Sequence, residues 1–148
     1  MTDEALKLEN QLCFALYACS REITKLYKPV LDELGITYPQ YISLLVLWEK
    51  DNLTVKEMGH KLHLDSGTLT PLLKRLECMN LVKRIRDTVD ERNVYIKLTL
   101  EGVDLKKKAL GIPNKMLCST GLSLQSASLL KDNVNSLLLC LTQSSNVK

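Results

Sequence analysis

The sequence predicts a mostly α-helical chain with one small β-hairpin wing, and three observations in its middle third carry that prediction. Residues 54–62 read as a short helix, the polar triplet Asp65-Ser66-Gly67 as a tight break, and residues 68–77 as a second helix. Residues 81–86 and 93–98 are β-like runs joined by a charged loop over 87–92. Seven bases lie between Lys74 and Lys97 against four acids, so this stretch holds the whole formal excess of +3. Charge alone could be a solvated surface. Coinciding with helix, turn, helix and hairpin, it completes the outline of a winged helix-turn-helix and gives the electrostatic footprint of phosphate contact. Double-stranded DNA is the expected partner.

The flanking elements follow from apolar spacing and breaker residues. Leu8, Leu12, Leu16, Ile23 and Leu26 recur at helical intervals and predict a helix over residues 6–34. Pro29 lacks an amide hydrogen and is expected to kink or divide it. Gly35 marks its end, since glycine takes the left-handed conformation after a helix without steric cost. Pro39 suits the first turn of a second helix to about Glu49. Its dense apolar positions (Tyr41, Leu44, Leu45, Leu47, Trp48) predict burial on more than one side.

In the central unit, Thr54 with Glu57 three residues on is a capping-box pattern. Leu69, Leu72, Leu73 and Leu76 make one buried stripe on the second motif helix. Ser66, Thr68, Thr70, Lys74 and Arg75 fall on the opposite face and are candidate DNA contacts, as is Arg86 in the basic hairpin. Pro71 predicts a local distortion without termination. After Thr99 a long helical run to about Cys118 is expected, bent at Pro113 and broken at Gly121 to Ser123. A last helix over 124–142 carries Leu129, Leu130, Val134, Leu137, Leu138 and Leu141. The expected wing has two strands.

The 148 residues suit one domain or one protomer, and 45% apolar with 25% charged residues is ordinary for a globular protein. Disorder is expected only over residues 144–148. The first residues show no secretory pattern, and the longest apolar run, Leu44 to Trp48, is too short to span a bilayer. A cytoplasmic protein without membrane contact, metal or cofactor is expected. The five cysteines (13, 19, 78, 118, 140) contain no Cys-x-x-Cys pair, and an odd number argues against a static disulfide framework. The outer helices carry more leucine than a small winged domain can bury. They predict a homodimer, with residues 1–36 and 101–148 as dimerisation helices around a DNA-binding domain at 37–100. Two-fold symmetry would set two recognition helices in successive major grooves of an inverted-repeat site.

Several segments resemble the MarR (multiple antibiotic resistance regulator) family, and within it the organic hydroperoxide-sensing repressors. These are Leu8-Glu-Asn-Gln-Leu-Cys-Phe-Ala-Leu-Tyr17, Tyr27-Lys-Pro29, Ile36-Thr-Tyr-Pro-Gln-Tyr41, the stretch from Leu64 to Glu77, and Asp90-Glu-Arg92. The resemblance fades after about Gly121. It implies that Cys13 is the peroxide-sensing cysteine, that Tyr27 and Tyr38 reach its sulfur from the partner subunit, and that Tyr17 lies in the same pocket. It implies that Cys118 is the resolving cysteine of the opposite subunit. It also implies that Arg92 enters the minor groove and that Asp90 holds the wing.

The residues read alone leave alternatives. Cys13 in an apolar helix could be a buried small hydrophobe, although Tyr17 at i+4 would favour its thiolate. Cys19, Cys78 and Cys140 read as packing residues. His60 and His63 could hold a metal or stand as exposed imidazoles. Lys74 and Arg75 could read guanine or hold phosphate. Arg92 could insert in the groove or pair with Asp90. Three functions compete: a thiol-switched repressor, a repressor released by a small phenolic or drug-like ligand, and a thiol peroxidase. No thioredoxin-like, P-loop or dinucleotide pattern supports the enzyme.

Overall fold

Local hydrogen bonds decide where most helices begin and end. In the computed structural model, which describes residues 3–145, α1 spans Leu12–Leu34. Two 3-10 turns, Asp3–Leu6 and Leu8–Asn10, precede it, so the helix starts six residues later than its leucine spacing suggests. Gln11 accounts for the delay. Its side-chain amide donates to the carbonyls of Ala5 (2.8 Å) and Lys7 (2.9 Å) and holds that backbone in the tighter coil. Pro29 does not divide α1, because one absent donor removes a single bond from a 23-residue helix. Gly35 ends it at φ 69°, and the Ile36 amide returns to the Leu31 carbonyl at 3.1 Å.

Helix α2 (Tyr38–Glu49) opens on a reciprocal cap that the sequence reading passed over. The Gln40 amide donates to Thr37 Oγ1, and the Thr37 amide donates to Gln40 Oε1 (2.8 Å). α2 buries Tyr41, Ser43, Leu44, Val46 and Leu47, so it is enclosed on more than one side. The two-residue strand β1 (Leu53–Thr54) leads into α3 (Val55–Leu62), where the expected Thr54–Glu57 box is present at 3.1 and 2.7 Å. α3 stops at His63, which adopts the left-handed conformation at φ 52°. Asp65 then accepts from the Thr68 amide at 2.8 Å and starts α4 (Ser66–Cys78). Ser66 and Gly67, expected in the break, therefore form the first helical turn, and the break itself is His63-Leu64. α4 continues through Pro71.

Strands β2 (Val82–Arg86) and β3 (Val94–Leu98) pair antiparallel with Arg84 opposite Ile96. The expected two-stranded hairpin is present, and β1 adds a third strand on the other side of β3, giving the order β1-β3-β2. β1 contributes only Leu53 and Thr54, opposite Ile96 and Tyr95, and two residues show no alternation to detect. Carboxylates satisfy amides that the ladder leaves open. Asp51 accepts from Leu98 N–H (2.8 Å) and Glu77 from Arg84 N–H (3.0 Å). Leu44, Leu47, Met58, Leu69, Leu73, Leu76, Val82 and Ile96 form the core, while Leu72 is half-buried.

Helix α5 (Leu100–Ala109) is capped by Thr99, whose hydroxyl accepts from Gly102 N–H at 3.0 Å and donates to the Asn80 carbonyl at 2.6 Å. Trp48 Nε1 donates to the Gly102 carbonyl at 2.9 Å. A Cβ on Gly102 would stand 2.1 Å from the Leu81 carbonyl oxygen, so only glycine fits there.

The chain clusters into two units that divide between Leu110 and Gly111. The second holds α6 (Ile112–Thr120) and α7 (Leu124–Ser145). The single long run expected after Thr99 is thus two helices. Pro113 sits in the first turn of α6, where its missing donor costs nothing, and does not act as a bend. Gly121 ends α6 at φ 70°, and Ser123 opens α7 by accepting from Ser126 N–H at 3.1 Å. Residues 146–148, within the stretch expected to be disordered, lie outside the described residues. Among the described residues no helix is long and apolar enough to cross a membrane.

Candidate DNA-reading surface and thiol sensor

Burying Leu69, Leu73 and Leu76 turns the other face of α4 outward. Ser66, Thr68, Lys74 and Arg75 are exposed there, with Thr70 half-buried beside them. Six of the seven bases between Lys74 and Lys97 are exposed, including Arg86 and Arg92. Arg84 is the exception.

The wing loop is held by its own polar groups. The Asn93 amide donates to the Asp90 carbonyl and the Asp87 amide to the Asn93 carbonyl, both at 2.9 Å. Arg92 donates through Nε (3.0 Å) and Nη2 (3.2 Å) to the Asp90 carboxylate, and its amide donates to the same group at 3.1 Å. These bonds hold the Asp90 carboxyl below its ordinary range. Arg92 is nonetheless 91% exposed. Pairing with Asp90 and offering a cation to solvent are therefore both true of it, and the pair pre-orients the guanidinium.

All five cysteines are free and exposed. The expectation that Cys19, Cys78 and Cys140 pack in an interior is not met within this chain. Cys19 shares its helix face with exposed Leu12, Ile23 and Leu26, so its surroundings are apolar but uncovered. Cys13 lies in the first turn of α1. Tyr17, Ser20, Thr24 and Tyr27 follow it at alternating intervals of four and three, which places them on one face. Tyr17 stacks under the Arg21 guanidinium, 5.4 Å from ring centroid to Cζ.

The structure brings Tyr27, Tyr38 and Tyr41 together. Ring centroids are 4.9 Å apart for Tyr27–Tyr38, 5.8 Å for Tyr27–Tyr41 and 6.4 Å for Tyr38–Tyr41. Burial pushes the phenols of Tyr27 and Tyr41 up, with smaller contributions from their tyrosine neighbours. Tyr27 is fourteen residues beyond Cys13 on one continuous helix, about 21 Å away at 1.5 Å per residue. Neither Tyr27 nor Tyr38 is brought to the sulfur of its own chain.

A cleft of about 550 Å3 runs along α1 and the start of α2, lined in part by Ser20, Arg21, Thr24, Lys28, Tyr38 and Pro39. Tyr38 lines this cleft, and Tyr17, Tyr27 and Tyr41 do not. Among the described residues, no group of three or more His, Cys, Asp or Glu side chains could hold a metal. His63 serves as the α3 cap.

Residues 25–109 match the family described as Transcriptional regulator SarA/Rot. An organic hydroperoxide resistance transcriptional regulator of Bacillus subtilis is 61% identical over 126 residues, covering 85% of this chain and 84% of that protein. The chain belongs to the MarR family, in its organic hydroperoxide-regulator branch. Solved relatives of this MarR-family chain include AbfR of Staphylococcus epidermidis. Reduced AbfR bound to DNA aligns at a TM-score of 0.74 and 37% identity, over 96% of this chain and 99% of that one. Disulfide-formed AbfR aligns at 0.61 and 38%, over 92% and 96%. The mostly helical architecture with its small sheet is that of a winged-helix, DNA-binding transcriptional regulator.

Proposed function

We propose that this protein is a thiol-switched repressor that binds an inverted-repeat operator as a reduced homodimer and releases it when Cys13 is oxidised by an organic hydroperoxide. The observation that carries this reading is the exposed Cys13 thiol on the same α1 face as Tyr17 and Tyr27, in a chain 61% identical to a hydroperoxide resistance regulator. Tyr27 is far from Cys13 along one helix, so a second chain lying antiparallel to the first would supply Tyr27 and Tyr38 to the sulfur. Residues 1–36 and 101–148 form the dimer in this reading. Exposed apolar side chains along α1 and α7 support it.

The chemistry balances as two steps. The Cys13 thiolate attacks the terminal peroxide oxygen, the O–O bond breaks, and an alcohol leaves after taking up a proton; Cys13 is then a sulfenic acid. The Cys118 thiol of the partner subunit attacks that sulfur, a disulfide forms, and water leaves. Such a bond requires Cα atoms within about 7 Å, so closing a longer gap moves helices and re-spaces the two α4 copies on DNA. Ser66, Thr68, Thr70, Lys74, Arg75 and Arg86 contact the operator, and Arg92, pre-oriented by Asp90, enters the minor groove.

Operator gel shifts test the switch. Cumene hydroperoxide should release wild-type protein and leave Cys13→Ser bound; release of Cys13→Ser would sink it. On non-reducing gels a Cys118→Ser protein should lose the covalent dimer. The α1–α2 cleft favours a second reading, release by a small phenolic or drug-like ligand, and release of Cys13→Ser by such a compound alone would establish it.

A further inference from the structure

We infer that Glu77 is a positioning residue that ties the wing to α4, and that Arg84, although it belongs to the basic stretch, is part of this strut and not a DNA contact. The inference rests on reading α4 and the wing as the DNA surface. Arg84 stands at the middle of β2 and is 22% exposed, unlike the other six bases around it. Its Nε–H is buried and has no hydrogen-bond partner, and its Nη1 lies 3.6 Å from Glu77 Oε2. With Nε buried and Nη1 beside a carboxylate, this guanidinium offers less of itself to phosphate than its exposed neighbours do.

The firmer link is through the backbone. β2 is an edge strand, so every second amide points away from β3. The Arg84 amide is one of these, and it donates to Glu77 Oε1 at 3.0 Å. Glu77 is the penultimate residue of α4. One carboxylate therefore joins the last turn of α4 to the midpoint of β2 through both of its oxygens. The loop that carries Arg92 begins three residues further on, roughly 10 Å along an extended strand. A tilt of about 10° at Arg84 would move that loop by roughly 2 Å, enough to misplace a cation in a narrow groove. Glu77 thus sets the angle between two DNA-facing elements without touching DNA.

The test is operator affinity across a salt series for E77A, E77Q, R84M, R92A and the E77A/R92A pair. E77A should weaken binding about tenfold, the cost of a lost groove contact. E77Q should stay within about twofold, because the amide oxygen still accepts from the Arg84 amide. R84M should also stay within about twofold with an unchanged salt slope, since the backbone bond survives and a poorly paired cation is replaced by an apolar chain. In the R92A background E77A should cost less than about twofold, because no groove contact remains to be misplaced. Amide exchange at Arg84 in the free protein should quicken in E77A and not in E77Q; should E77A fail to fold, E77D takes its place in this measurement. Multiplying losses for E77A and R92A would overturn the strut alone. So would a salt slope reduced by about one in R84M, which marks a phosphate contact. An R92A protein with wild-type affinity would overturn the wing reading and this inference with it.

Discussion

The central unit and the outer helices draw on the same leucine-rich composition and end in opposite states. In the centre, Leu69, Leu73 and Leu76 of α4 are wholly buried, and polar side chains cap the starts of α3, α4 and α5. In α1 only Val30 and Leu31 are buried, and α7 buries nothing among its described residues; Leu129 remains 64% exposed. The difference teaches that one chain completes the DNA-reading unit, whereas α1 and α7 present apolar faces that one chain does not cover. A large uncovered apolar area is unfavourable in water, which is the physical ground for the proposed dimer.

Substituting leucines in the two regions gives the largest expected contrast. Leu73→Ala should cost about 3 kcal/mol in thermal or denaturant unfolding, the value for emptying a packed site. Leu130→Glu on α7 should leave helical content intact and shift sedimentation from dimer toward monomer. If Leu130→Glu remained fully dimeric, the contrast between the regions would lose its meaning. The glycines sharpen it at the next level. Gly102→Ala drives a Cβ to 2.1 Å from the Leu81 oxygen and should cost about 1–3 kcal/mol. Gly111→Ala meets nothing within 4 Å and should change stability by no more than about 0.5 kcal/mol.

The caps give the smallest effects. Thr54→Ala should cost about 1 kcal/mol. The Thr54 amide and hydroxyl bonds hold the Glu57 carboxyl below its ordinary range. A carboxylate lowered in the folded state contributes stability that is present above its unfolded pKa and is lost as pH falls through its folded pKa. Acid titration of the wild type should therefore show this loss below the usual carboxylate range. The same titration of Thr54→Ala should be shallower, and superimposable curves would remove the cap from the account.

Features governed by near neighbours were legible in the chain. The Thr54–Glu57 box, the stops at Gly35 and Gly121, and the α4 stripe each depend on residues within one or two turns. Features that depend on distant partners were not. β1 exists only because β3 lies beside it, and two residues have no period of their own. The chain breaks at Leu110-Gly111 and not at Pro113, because a proline is harmless in a first turn. Among candidate site residues, the exposed face of α4 followed directly from its buried one. The seclusion of Arg84 did not, because its partner Glu77 lies seven residues away on another element.

Sequence alone determined the winged-helix order, the side of α4 that faces outward, and the resemblance of Cys13 and its surrounding tyrosines to a peroxide-sensing site, since spacing and residue chemistry are carried along the chain itself. The tertiary structure alone decided that Tyr27 and Tyr38 form a cluster far from their own Cys13, that all five thiols face outward, and that Glu77 holds the wing. The cluster and the Glu77 link are contacts between residues on different elements, and the exposure of the thiols is set by how the elements pack, which spacing along one segment does not encode.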